Sequence, residues 1–304
     1  MTTALRHAVT AAMLTPFDAA GAPAVDAVGP YAASLVRDGV GGLAVGAHTG
    51  RGPHLTEQQL TAVVRVVRDA VDVPIVVGID GSEKDSLARR GELLAKAGAD
   101  ALMLFPVAAA PDEEIAALHA HAASTSGLPV VAFVLYEAAG GHRYPVDLAR
   151  RLVATEGVLG LKVAVLDDAV ACQDILTGCR AERPETILFT GEDRMFGPSL
   201  MWGADAALVG IAAALPSLTV EVVRAWTERR YSDFVHAAGL VDALGAVAFA
   251  PPVDTYVQRM AWLAGWEARL PKELCHDPLS TTTPAQQQRF LADVAELLAH
   301  SVSA

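Results

Sequence analysis

Lysine is scarce in this chain, and one of its four copies, Lys162, stands inside the apolar run Leu159-Gly160-Leu161-Lys162-Val163, whereas Lys84, Lys96 and Lys272 do not. A primary amine in apolar surroundings suits one chemistry in particular. It attacks a ketone or aldehyde to form an imine, whose protonated nitrogen then withdraws electrons from the adjacent carbon. Arginine supplies the rest of the positive charge but stays protonated, so it cannot take this part. Desolvation lowers a lysine's pKa and keeps part of the amine neutral. The structural alternative is a lysine paired with a carboxylate such as Glu192, because a buried cation costs several kcal/mol unless it has a partner.

Such a lysine needs a scaffold that dries it and leaves its tip open. Short runs of Val, Ile, Leu and Ala recur behind Gly or Pro, each followed by helical periodicity, which predicts parallel strands joined by crossover helices. The strand candidates are Ala8–Met13, Gly42–Val45, Pro74–Ile79, Ala101–Phe105, Val130–Leu135, Leu159–Val163, Thr186–Phe189 and Ala206–Val209, eight in all. Eight is the closure number of the (β/α)8 TIM barrel, in which strand C-termini form the reactive face, so Lys162 falls at the mouth. Helices are expected to start at Thr56-Glu57, Pro111-Asp112 and Pro145-Val146. From Tyr231 onward strands disappear. Ser232–Phe249, Pro252–Gly265 and Pro284–Ser301 read as helices, with Leu270–Thr283 as an irregular link. The expected class is therefore α/β: a barrel over 1–230 with a C-terminal helical extension over 231–304. An open doubly wound sheet would need a Gly-x-Gly-x-x-Gly or Walker pattern near its first crossover, and neither occurs.

Composition narrows the partners. The 304 residues are 52% hydrophobic with mean hydropathy +0.34 and net charge −12. Much of the apolar excess is alanine, and no uninterrupted run approaches the roughly 18 residues of a membrane span. The opening residues lack a secretory pattern, so a cytoplasmic location is expected. Scattered basic residues and an acidic balance argue against nucleic acid. Cys172, Cys179 and Cys275 lack paired metal spacing and read as reduced structural thiols. No metal or cofactor is expected, since the imine is itself the electron sink.

Several spaced segments together resemble the dihydrodipicolinate synthase and N-acetylneuraminate lyase superfamily of class I, Schiff-base aldolases. They are Ala12-Met13-Leu14-Thr15-Pro16-Phe17, Gly46-Ala47-His48-Thr49-Gly50-Arg51 with Leu55-Thr56-Glu57, Pro74 through Ile79, Gly160-Leu161-Lys162, Gly191-Glu192-Asp193, and Trp202 through Gly210. The resemblance implies that Lys162 is the imine lysine, that Thr49 helps hold a substrate carboxylate, that Gly210 lines the substrate, and that the substrate is pyruvate or a related 2-oxo acid or aldehyde. It also implies a homo-oligomer, tetramer or dimer.

The chain departs from that family's pattern in places that matter. Where the family carries a proton-shuttling tyrosine on strand five, this sequence has Phe133, beside the substrate position but without a proton to move. His48 replaces the first threonine of the Gly-Thr-Thr-Gly-Glu loop and Arg51 replaces its glutamate. Pro106 through Ala110 contain no interface tyrosine, and Ala138 replaces an arginine. Lysine synthesis is therefore not the expected role. His48, with a pKa ordinarily near neutrality, is one candidate proton carrier, the alternative being a histidine bonded to loop backbone. Tyr136 is another, unless it packs on the rim. Arg51 and Arg143 are candidate carboxylate clamps through bidentate forks, or else salt-bridging surface groups. Glu192 and Asp193 are candidates for binding substrate hydroxyls or fixing Lys162, with helix capping as the alternative, and Asp80 shares that ambiguity. His142 is expected in an exposed turn, and His119 and His121 on a helix. Two functions follow: a Schiff-base lyase or aldolase, or a catalytically impaired barrel that binds a small metabolite as a sensor or scaffold.

Overall fold

The computed structural model describes residues 1–81, 84–107, 110–137, 141–142 and 144–301. Eight strands close in sequence order into a parallel barrel: β1 (Val9–Ala12), β2 (Gly42–Val45), β3 (Ile75–Ile79), β4 (Ala101–Leu104), β5 (Val130–Leu135), β6 (Val158–Ala164), β7 (Ile187–Thr190) and β8 (Ala206–Val209). All eight expected strands are present, and three match their expected bounds. β6 runs one residue further at each end because its pairing with β5 continues to Leu135 opposite Ala164.

Helices cross between strands: α2 (Val25–Arg37), α3 (Glu57–Ala70), α4 (Leu87–Ala97), α5 (Asp112–Thr125), α6 (Val146–Ala154), α7 (Ala169–Glu182), α8 (Phe196–Met201) and α9 (Pro216–Thr227). A short α1 (Thr2–Leu5), unforeseen from the sequence, delivers Leu5 into the barrel interior. The Thr56 hydroxyl accepts the Gln59 N–H while the Gln59 side chain accepts that of Thr56, a reciprocal cap that fixes where α3 begins. α10 (Tyr231–Ala248), α11 (Tyr256–Trp266) and α12 (Pro284–Ser301) follow the barrel. α11 starts four residues later than expected, because a 3-10 turn over Val253–Thr255 intervenes.

The apolar side chains divide into two bodies, as a barrel requires. One lies between strands and helices. The other fills the interior with alternate strand residues, among them Ala44, Val76, Met103, Val131, Phe133, Ile187, Phe189 and Leu208. In the second, Phe133, Lys162 and Phe189 stand opposite one another on β5, β6 and β7, so the lysine is flanked across the strands by two phenylalanines. Among the described residues no single helix is long and apolar enough to cross a membrane. α10 and the following turn and helix pass together by length and composition, but they meet at 109° and turn their apolar faces inward.

The loop from β2 to α3, which carries His48, Thr49 and Arg51, is held by close backbone approach. A Cβ on Gly52 would lie 1.7 Å from the Gly46 carbonyl oxygen, and backbone cannot retreat as a flexible side chain would. Gly52→Ala is therefore expected to destabilise the fold by about 3 kcal/mol, read as a lowered urea midpoint. A midpoint equal to wild type would mean that the loop can move aside.

Candidate active site

Lys162 reaches the C-terminal mouth of the barrel with its Nζ 4.1 Å from the centre of the Phe133 ring. Its stem passes Gly191 so closely that a Cβ there would stand 2.6 Å from Cε, which is why that turn has a glycine. Burial pulls its pKa well below lysine's ordinary range, and the charges of Asp193 and Glu192 only partly restore it. Among the described residues no carboxylate lies within ion-pair distance of Nζ. The ammonium's contact with the phenyl face is a cation–π interaction, which favours a cation but accepts no hydrogen bond.

The two carboxylates after β7 have separate tasks. Glu192 accepts the Val165 N–H at 2.6 Å and the Leu166 N–H at 3.0 Å, and so holds the turn that follows β6. Leu166 has φ +64, a conformation such a turn needs and a leucine resists. Burial pushes the Glu192 carboxyl up to about 7, against those two N–H groups. Both Glu192 oxygens accept from backbone, so the carboxylate holds this turn, caps no helix among the described residues and acts on Lys162 through its charge rather than through an ion pair. Asp193 accepts the Ile211 N–H at 2.7 Å, and its carboxyl is pushed up by burial while the Lys162 charge draws it down.

Opposite these lies a hydrogen-bonded group that the sequence does not announce. The Tyr256 hydroxyl, from the first turn of α11, lies 2.8 Å from His48 Nδ1 and 3.1 Å from Thr49 Oγ1. Its ring stacks on Phe249, with centroids 4.5 Å apart. A side chain at Gly210 would stand 2.8 Å from Thr49 Oγ1 and 3.1 Å from the Tyr256 ring, so the glycine keeps this group and Asp193 in one space. Burial and the Arg51 charge pull the His48 pKa down to about 4, and the Lys162 charge adds to the fall. The imidazole is therefore neutral near pH 7.

Arg51 is placed differently from expectation. Its Nε and Nη2 donate to Asp277 at 3.1 and 2.6 Å, and Nη1 donates to Asp254 at 3.3 Å. Asp277 is itself fixed by Gln258, whose side chain accepts the Asp277 N–H and donates to the Cys275 carbonyl. The fork clamps the C-terminal link to the β2–α3 loop, not a substrate carboxylate. Tyr136 is buried at the mouth, and burial together with Tyr256, Asp193 and Glu192 pushes its hydroxyl far up.

Arg143 and Ala138 lie outside the described residues. Asp80 sits beside β3, its carbonyl accepting from Arg90. His142 is half-buried against the Tyr144 ring, where exposure was expected. His119 and His121 lie on α5, the first buried and the second exposed. Among the described residues no three His, Cys, Asp or Glu side chains gather as metal ligands.

The site is thus a closed parallel barrel with a desolvated lysine on strand six. The model of the Dihydrodipicolinate synthetase family matches residues 6–297, and the chain belongs to that family. A 4-hydroxy-tetrahydrodipicolinate synthase of Bifidobacterium longum is 28% identical over 253 residues, covering 82% of this chain and 80% of its own. Among solved structures, a prophage protein of the dihydrodipicolinic acid synthase family from E. coli K12, in complex with pyruvate, superposes with TM-score 0.87 at 17% identity, covering 96% and 98% of the two chains. N-acetylneuraminate lyase from Mycoplasma synoviae gives 0.81 at 14%, covering 98% and 99%. These two likenesses bear on the fold alone.

Because the Arg51–Asp277 pair is buried, its loss on one side should be costly. Arg51→Met and Asp277→Leu should each destabilise the protein by about 3 kcal/mol, with the double variant recovering much of the loss. Urea titrations of the four proteins check this, and additive losses would refute a buried, coupled pair.

Proposed function

We propose that this protein is a Schiff-base lyase or aldolase in which the Lys162 amine attacks the carbonyl carbon of pyruvate or another 2-oxo acid. The observation that carries the reading is a buried amine at a barrel mouth with a phenyl ring, and no carboxylate within ion-pair distance among the described residues, beside its nitrogen. Family membership supports the same chemistry. In this reading Thr49 receives the substrate carboxylate, Gly210 leaves room for it, and Phe133 packs against the imine. His48 moves protons, with Tyr136 as the next hydroxyl at the mouth.

Phe133 also favours a second reading, a barrel that binds a carbonyl metabolite without turning it over, because a phenyl ring moves no proton. The two readings separate in one experiment. Borohydride reduction with a panel of 2-oxo acids and aldehydes, read by intact mass, should give an adduct in the wild type and none in Lys162→Ala. An adduct with product release supports the enzyme; an adduct without it supports the binding protein. No adduct with any carbonyl removes the proposal.

The acidity of Lys162 gives a further check. Its folded pKa is depressed, so at a given pH more of it is neutral than of a free lysine, whose pKa is about 10.4. The initial rate of adduct formation should rise with pH and level off at a midpoint below that value. A midpoint at or above it would mean that the barrel does not dry the amine.

A further inference from the structure

We propose that the Tyr256 hydroxyl is the proton carrier of this site, the inner member of a relay that runs through His48 to Asp254 and solvent, with Thr49 as its second partner. The inference rests on the imine reading of Lys162 and adds to it a residue from outside the barrel.

Forming and using an imine requires protons to come and go beside the reacting carbons. The ring over Lys162, Phe133, has none to give. Tyr256 does, and its hydroxyl is placed for more than packing. Stacking on Phe249 requires only the ring, yet the hydroxyl lies within bonding distance of two side chains at the mouth, 2.8 Å from His48 Nδ1 and 3.1 Å from Thr49 Oγ1. The direction of the chain follows from its far end. His48 Nε2 faces Asp254 Oδ1 at 4.0 Å, beyond hydrogen-bond distance, and the relay takes the tautomer with its proton on Nε2 toward that carboxylate, which leaves Nδ1 to accept from the phenol. The phenol oxygen then accepts from Thr49. Exposure grows outward along the same path. Tyr256 is 4% exposed, the His48 side chain 17% and that of Asp254 59%, so a proton taken up in the dry mouth has a route to water.

With pyruvate as probe the step balances. The neutral Lys162 nitrogen bonds to C2, the carbonyl oxygen leaves as water, and one further proton taken up from solvent gives the protonated imine. A C3 proton then passes to the Tyr256 oxygen as the Tyr256 proton passes to Nδ1. The C3–H electron pair becomes the C2–C3 double bond, and the C–N π pair settles on nitrogen. The positive charge thus moves from imine to imidazole. Reversal in heavy water returns a deuteron to C3.

The test is methyl-proton exchange of pyruvate in heavy water, followed by NMR, beside borohydride trapping of the same samples. Wild type should do both. Tyr256→Phe, which keeps the ring against Phe249, should still give the adduct on long incubation, yet exchange about 100-fold more slowly or worse. His48→Gln should fall similarly, and the double variant should be little worse than the poorer single, as residues acting as a unit require. Exchange by Tyr256→Phe within about twofold of wild type at equal trapping overturns the relay, as does parallel loss of trapping and exchange, the mark of a merely structural role. Trapping without exchange in the wild type also overturns it. Absence of any wild-type adduct is a different result: it removes the imine premise, and the relay with it. Should Tyr256→Phe unfold, difluorotyrosine at position 256 keeps the shape and changes only the phenol's acidity. An exchange rate identical to wild type in that protein would then sink the proposal.

Discussion

The desolvation of one amine organises this molecule. Lys162 sits in an interior layer with Phe133 and Phe189 across the strands on either side, and its nitrogen lies over the Phe133 ring face. Water or a paired carboxylate would hold it as a solvated ammonium, and an amine in that state is a poor nucleophile. The closed barrel removes the first, and the hydrogen bonding of Glu192 and Asp193 limits the second. Each carboxylate is turned toward backbone N–H groups of a neighbouring loop, near enough for its charge to be felt by Lys162 yet not placed as a direct partner. Coulombic support without capture leaves the amine able to lose its proton.

The mouth is not built by the barrel alone. Arg51 on the β2–α3 loop is held by Asp277 from the link between α11 and α12, and Tyr256 from α11 closes on His48 and Thr49 of the same loop. One loop is thus gripped twice by the C-terminal helices, through an ion pair on its outer side and a phenol on its inner side. Arg51 thus has a structural role, since its fork has an internal acid to meet. The polar layout of the site follows from where those helices dock.

This division explains what was legible in the sequence. Strand periodicity and punctuation located all eight strands, because each is buried on both faces and reads as a short continuous apolar run. Lys162 stood out for the same reason, as an interruption of such a run. Residues whose role depends on a distant partner were less visible. Arg51 reads as a substrate clamp until Asp277, 226 positions away, is seen in its fork. Glu192 reads as a site carboxylate until Val165 and Leu166 are seen to claim it. Tyr256 carries no local signature, being one aromatic residue in the first turn of a helix beyond the barrel. The nearest signal was indirect: a site that had lost its phenol at Phe133 and still held a histidine at its rim.

Such substitutions fit together if the barrel is regarded as a rigid frame with interchangeable proton chemistry. A lysine that is to form an imine makes strict demands: a strand C-terminus, a dry layer and no captor. All are met by packing that involves most of the interior, so the position is fixed by the fold. The demands on a proton carrier are looser, a hydroxyl or imidazole within reach and a route to water, and any element that overhangs the mouth can meet them. A phenyl ring at Phe133 is therefore compatible with retained chemistry where an overhanging helix brings its own hydroxyl. In this chain α11 overhangs the mouth, and its Tyr256 oxygen lies 2.8 Å from the His48 imidazole.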